Sequence, residues 1–244
     1  MISYKATKKG VVFFVDRERL YNWTLEQKEA ESIRIIRETL ERFGTDRVAT
    51  TFTGGKDSLV LLHLIKQACG GRVPVRVIQI DTSVEFKEIY DFVDRLAGEW
   101  HLDLTVIRND SALKTIKIAE DHVDCCYQLK TVPLQNAVRD FGLAALFTAV
   151  RWDEQEARQD EEYFSPRQDP EHLRVQPILH FREIDVWSYI KKYDLPFCEL
   201  YRRGYRSLGC EPCTVRGGAG GPERAGRARD KEQAMQRLRS MGYF

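Results

Sequence analysis

No apolar run in the 244 residues approaches the ~20 that a membrane-spanning helix needs. No large net charge is present either. The 38 Lys and Arg nearly balance the 37 Asp and Glu, leaving +1, so no global field draws the chain to nucleic acid or to a membrane. Internal repeats are absent. The opening residues, Met1-Ile2-Ser3-Tyr4-Lys5, lack the apolar core of a signal peptide, which sets the expectation of a cytoplasmic, reducing location. In such a compartment six cysteines point to metal or redox chemistry rather than a disulfide framework. With 43% hydrophobic and 31% charged residues, the chain suits one soluble domain with an appendage, or two small ones.

Val48 to Ser58 is the most informative stretch. Val48–Phe52 is β-branched and apolar enough for a buried strand. From Asp57, Leu59, Leu62 and Ile65 recur at helical spacing. Between them Gly54 and Gly55 let backbone N–H groups approach an anion, and the following helix aims its positive end at the same spot. Thr53, Lys56, Asp57 and Ser58 complete a phosphate cradle. It is not a Walker A loop, since Thr50 stands where that motif needs glycine.

The pattern extends on both sides of this cradle. Thr24 is placed to cap a helix that Gly44 stops, and Val11–Val15 reads as a strand. Strands are expected at 73–80, 102–107, 144–150 and about 174–179, with helices at 85–100, 112–119, up to Phe141, 183–193 and 230–241. Alternation of strand and helix predicts an α/β, doubly wound, mainly parallel five-stranded sheet, with ligands at the carboxyl ends of its strands. Asp81 and Arg151 fall at such ends; Asp81 is expected to touch a nucleotide or its Mg²⁺. Residues 152–170 are polar and charged and read as an exposed excursion. The chain divides into an extension at 1–22, a nucleotide-binding domain at 23–200, and a Cys/Arg/Gly-rich segment at 201–244.

Cys125 and Cys126 are adjacent, and Cys210 and Cys213 form a C-x-x-C. Together they suggest one four-thiolate site. Adjacent residues must splay to reach a single tetrahedral zinc, whereas an iron–sulfur cube offers separate corners. A [4Fe–4S] cluster is therefore favoured over zinc, with a redox dithiol at Cys210 and Cys213 as another reading. Cys69 and Cys198 read as packing residues.

With these residues in view, the chain resembles the phosphoadenosine-phosphosulfate (PAPS) reductase family, within the PP-loop adenine nucleotide α-hydrolase-like folds, from about Trp23 to Arg227. Cys125-Cys126-Tyr127-Gln128-Leu129-Lys130, Gly209-Cys210-Glu211-Pro212-Cys213 and Glu223-Arg224-Ala225-Gly226-Arg227 are similar to iron–sulfur adenosine-phosphosulfate (APS) reductases. That resemblance implies that all four cysteines hold one [4Fe–4S] cluster and that Glu223–Arg227 lies near the substrate's sulfate and phosphate. Lys130, one turn beyond the paired cysteines, is placed to contact the cluster, the substrate or water. Thr53-Gly54-Gly55-Lys56-Asp57-Ser58 instead resembles the loop of ATP pyrophosphatases, which reductases usually carry in degenerate form. Arg151-Trp152-Asp153-Glu154 through Arg158 leans toward the small subunit of ATP sulfurylase. Reductases of this family also have a late catalytic cysteine; here none follows Cys213.

The favoured function is an ATP-dependent adenylyl- or sulfur-transfer enzyme of sulfur metabolism, with Lys56, Ser58 and Arg151 catalytic and Mg²⁺ assisting. Arg151, Arg158, Arg224 and Arg227 would bind a small oxyanion or sulfur-containing co-substrate. The alternatives are an APS/PAPS reductase using an external thiol or sulfur-carrier protein, and a non-enzymatic iron–sulfur nucleotide sensor or subunit. Family members are often homodimers, though no stretch here marks a dimer face.

Overall fold

The computed structural model describes residues 17–217 and 220–243, together with the backbone of 3–7 and 10–14. Val15, expected to end the first strand, and Gly218 and Ala219 of the glycine-rich loop lie outside the described residues. β1 (Ser3–Thr7) and β2 (Gly10–Phe14) pair antiparallel as a separate hairpin. α1 (Arg17–Tyr21) and α2 (Leu25–Phe43) lead into β3 (Val48–Thr51). Then α3 (Lys56–Ala68), β4 (Arg76–Ile80), α4 (Lys87–Glu99) and β5 (Leu104–Ile107) alternate. α5 (Asp110–Leu113), α6 (His122–Cys126) and α7 (Val132–Asp140) precede β6 (Ala145–Phe147). β7 (Phe164–Gln168), β8 (Glu171–Val175), α8 (Glu183–Lys192), α9 (Arg229–Gln233) and α10 (Met235–Ser240) complete the described chain.

The main sheet has the order β5-β4-β3-β6-β8-β7. Five strands are parallel, as the alternation predicts, and β7 adds a sixth, antiparallel strand at one edge. The chain builds outward from β3 through β4 to β5, then returns to the other side of β3 with β6. That reversal opens a crevice beyond the carboxyl ends of β3 and β6.

Successive strand residues serve opposite faces. Val48, Val77, Ala145 and Phe147 pack with the buried sides of α2, α3, α4 and α8. Ala49, Ile78 and Leu146 pack with Leu134, Ala137 and Val138 of α7. Thr24 caps α2 in a reciprocal box with Gln27, and Gly44, at φ 75°, ends it.

Four expectations need correction. The helix expected at 112–119 is only α5, Asp110–Leu113, followed by turns. Residues 152–170 are not an exposed excursion: Trp152, Ala157 and Glu161 are buried. The buried charges of this segment are paired, Glu161 by Arg167 within it and by Arg239 from α10, so the segment folds back on the body and supplies β7. The final helix is two short helices, α9 and α10, turning at Ala234. Before Phe141 the helix is not uniform. α6 widens through a π-helical turn, Tyr127–Thr131, into α7. Pro133 has no N–H for the Leu129 carbonyl and its ring crowds that carbonyl, so a wider turn relieves the conflict.

Candidate active site

The cradle forms between β3 and α3. Gly54 has φ +71°, and a Cβ there would meet Ile89 Cγ2 at 3.0 Å and Val93 Cγ2 at 3.3 Å. Only glycine both adopts this turn and lets the loop lie against α4. Gly55 caps α3. Ser58 Oγ donates to the Gly55 carbonyl (2.9 Å) and accepts from the Thr53 N–H (3.3 Å), closing the loop. The Lys56 N–H donates to the Tyr201 hydroxyl (2.8 Å).

Lys56 and Arg151 are both buried and converge on one carboxylate. Lys56 Nζ ion-pairs with Glu223 and, at 3.1 Å, with Asp57; it also donates to the Arg206 carbonyl (3.4 Å). Arg151 reaches Asp57 from Nε (2.7 Å, off the line of a hydrogen bond), Asp153 from Nη1 (2.8 Å), and Glu223 from Nη2. Burial alone would weaken both cations, but Asp57 and Glu223 outweigh it and hold both charged. Burial pushes the Glu223 carboxyl up, against the pull of Lys56.

A cavity of about 220 Å³ opens here at the ends of β3 and β6. Thr53, Gly55, Lys56, Asp57, Ser58, Lys130, Arg158, Arg224 and Arg227 all line it. Burial would raise Glu154, but Arg158, Arg224 and Arg151 hold its carboxyl down at about 2. Arg224 engages Glu154 (2.8 Å) and grips Glu232 with two nitrogens, each at 2.8 Å. Asp81 does not line this cavity. It accepts from the Tyr90 hydroxyl and the Ser83 N–H, both at 2.7 Å, beside a neighbouring shallow hollow.

Glu85 joins the cavity to the cysteines. It accepts from Thr82 Oγ1 (2.9 Å) and Cys210 Sγ (3.5 Å) and pairs with Lys130 (3.5 Å). Cys126, Cys210 and Cys213 are buried, Cys125 is half-buried, and all are free thiols. Burial raises the Cys125 thiol, and Cys126 and Cys210 raise it further. Burial likewise raises Cys213, against the nearby Lys231. The adjacent pair and the C-x-x-C thus lie in one neighbourhood. Among the described residues, however, no three His, Cys, Asp or Glu side chains close on one metal-ion position.

Beside this neighbourhood Lys231 is fully buried, and its Nζ has no hydrogen-bond partner. It lies 5.4 Å from the centre of the Tyr243 ring and its charge acts on Cys213; a buried ammonium so placed fits an anionic, thiolate-ligated group there. Sequence reasoning missed Lys231, Glu223's bridging position, Tyr201 and Arg174. Their partners come from distant segments, and only the Glu-Arg-Ala-Gly-Arg run hinted at one of them.

A family model for the phosphoadenosine phosphosulfate reductase domain matches residues 47–216. The chain belongs to the PAPS reductase domain family. Relatives include sulfate adenylyltransferase subunit 2 of Aeromonas hydrophila, 32% identical over 80% of this chain and 72% of that protein. The subunit 2 of Pseudomonas paraeruginosa is 34% identical over 75% and 68%. Within this family's fold, PAPS reductase from Candida auris, solved as a phosphate complex, superposes with TM-score 0.65 at 22% identity, covering 87% of this chain and all of that one. Candida glabrata FMN adenylyltransferase in complex with ATP gives TM-score 0.65 at 21% identity, over 82% and 69%. No described helix is long and apolar enough to cross a membrane.

Proposed function

We propose that this PAPS reductase-family chain is an ATP-dependent adenylyltransferase acting on a small oxyanion of the sulfate class. The observation that carries this reading is the Glu223 carboxylate bound between Lys56 and Arg151 at the start of α3. A carboxylate held by two buried cations beside a glycine turn is a protein-supplied stand-in for phosphate oxygens. With ATP in place, Lys56 and the N–H groups of the loop would take the β- and γ-phosphates, and Ser58 would hold the loop closed. Arg151 would neutralise charge as it develops, and Asp57 is the loop carboxylate suited to Mg²⁺. An oxygen of the oxyanion attacks the α-phosphorus, the bond to the bridging oxygen breaks, and pyrophosphate leaves. Positioning and electrostatics supply the catalysis. The relatives' names also suggest a partner subunit.

Cys125, Cys126, Cys210 and Cys213 would hold a [4Fe–4S] cluster, with Lys231 and Lys130 as its nearby cations. Bound there, the cluster would supply a redox-active centre with affinity for sulfur. This arrangement favours one second reading, a sulfonucleotide reductase with an external thiol, because Glu85 and Lys130 connect the thiols to the cavity.

Anaerobically purified protein given ATP, Mg²⁺ and sulfate is expected to release pyrophosphate and form APS. Silence there, with thiol-dependent release of sulfite from APS, would replace the first reading by the second. Brown protein with iron and acid-labile sulfide is expected; colourless protein with stoichiometric zinc would sink the cluster.

A further inference from the structure

The cations around the cavity differ in what they have left to offer a ligand. Arg151 meets carboxylates with all three guanidinium nitrogens, and so does Arg224. Lys56, Lys130 and Arg158 each face a carboxylate as well. Arg174 and Arg227 are different. Arg174, on β8, is 2% exposed; its Nη2 donates to the Gly242 carbonyl (2.9 Å), while Nε and Nη1 have no partner. Arg227 is 8% exposed, and its Nε and Nη1 are unpartnered too. Both side chains line the cavity.

Arg174 is also short of negative charge. The nearby carboxylate is Glu161, and that group already pairs with Arg167 and Arg239 and accepts from Gln176 (2.6 Å). Burial, with Arg167 adding to it, draws the Arg174 guanidinium down to about 9 despite Glu161. A buried guanidinium with idle donors is costly unless an anion completes it. Arg227 is held in place by its surroundings. A Cβ on Gly209 would fall 2.1 Å from its Nη1, so the bare backbone of Gly209 is what admits the guanidinium.

We propose that Arg174 is a further specificity-determining residue: beside Arg227, which the Glu-Arg-Ala-Gly-Arg resemblance already points to, it holds the oxyanion co-substrate, a tetrahedral dianion of sulfate size, at a subsite separate from the phosphate loop. This rests on the adenylyltransferase reading and names the residues that would select its second substrate. Planar guanidinium forks match tetrahedral oxyanions, and two of them complement a charge of −2. Among the arginines expected from sequence to bind this anion, Arg158 and Arg224 instead hold carboxylates, and Arg151 is left to the nucleotide.

The test compares wild type with Arg174→Met, which keeps the length and apolar volume of the side chain, and with Arg174→Lys. Thermal unfolding is followed in sodium sulfate, in sodium phosphate and in sodium chloride at matched ionic strength, and ATP binding is measured separately. Wild type is expected to be stabilised saturably by sulfate. Arg174→Met should need at least about tenfold more sulfate, while ATP affinity stays within about twofold. Arg174→Met without ligand should be more stable than wild type, because an uncompensated buried charge has gone. A purely structural arginine would give the opposite sign. Arg174→Lys should keep part of the sulfate response.

An unchanged sulfate response in Arg174→Met, or lower stability without ligand, would overturn the proposal. So would displacement of sulfate by a non-hydrolysable ATP analogue, which would place both anions at one position. A phosphate response equal to that of sulfate supports the oxyanion class without selecting sulfur. If wild type binds no ATP but Arg174→Met still loses its sulfate response, the subsite stands and the adenylyltransferase reading falls.

Discussion

At residue scale the charge balance around Glu223 is the most consequential feature. Two buried cations face one carboxylate of the Glu-Arg-Ala-Gly-Arg run. Removing one partner of a buried ion pair typically costs about 3–5 kcal/mol, because the remaining charge is stranded. Glu223→Gln should therefore lower the melting temperature of the nucleotide-free protein. ATP supplies the missing negative charge, so the rise in melting temperature on adding ATP should be larger in Glu223→Gln than in wild type. Equal rises in the two proteins would mean that Glu223 and the triphosphate do not share these cations.

Among the elements, the two cradle glycines make different demands. Gly54 needs a positive φ and has α4 pressed against it, whereas Gly55 has an ordinary φ of −80°. Gly54→Ala should cost about 1–3 kcal/mol in urea unfolding and weaken ATP binding. Gly55→Ala should be the milder change; the reverse order would show that the turn is not set by Gly54. The parallel strands were legible because strands buried on both faces are short apolar runs, as in Val48–Phe52. β7 was hidden because Phe-Ser-Pro-Arg-Gln reads as loop. Pro166 is tolerated there only because β7 is an edge strand. The Gly-Gly-Lys cradle was legible because its parts are neighbours in sequence. Arg174 was not, since nothing in a sequence distinguishes a buried guanidinium with idle donors from a solvated one.

For the molecule as a whole, buried histidines set an acid limit. His180 is fully buried. Its Nε2 donates to the Lys28 carbonyl (3.0 Å), and Nδ1 accepts from the Tyr163 hydroxyl (2.9 Å). Burial draws its pKa down to about 4, and burial does the same to His63 and His172. An unfolded histidine titrates near ~6.5, so between that pH and about 4 the unfolded chain binds more protons than the folded one. Stability from these groups is complete above pH ~6.5 and declines as the pH falls toward 4; His180 alone contributes up to about 3 kcal/mol. The urea midpoint should drop clearly between pH 7.5 and pH 5, about where most carboxylates are still ionised. A flat profile across that range would contradict neutral burial of these rings.

The Glu223 contact also bears on time. If nucleotide can settle on Lys56 and Arg151 only after the carboxylate withdraws, association has two steps, and the slower one belongs to the protein. In stopped-flow mixing with a fluorescent ATP analogue, the observed rate for wild type should then level off as nucleotide concentration rises, at the frequency with which Glu223 lets go. Glu223→Gln should stay linear over the same range. A linear wild-type response would show that triphosphate and carboxylate exchange without waiting.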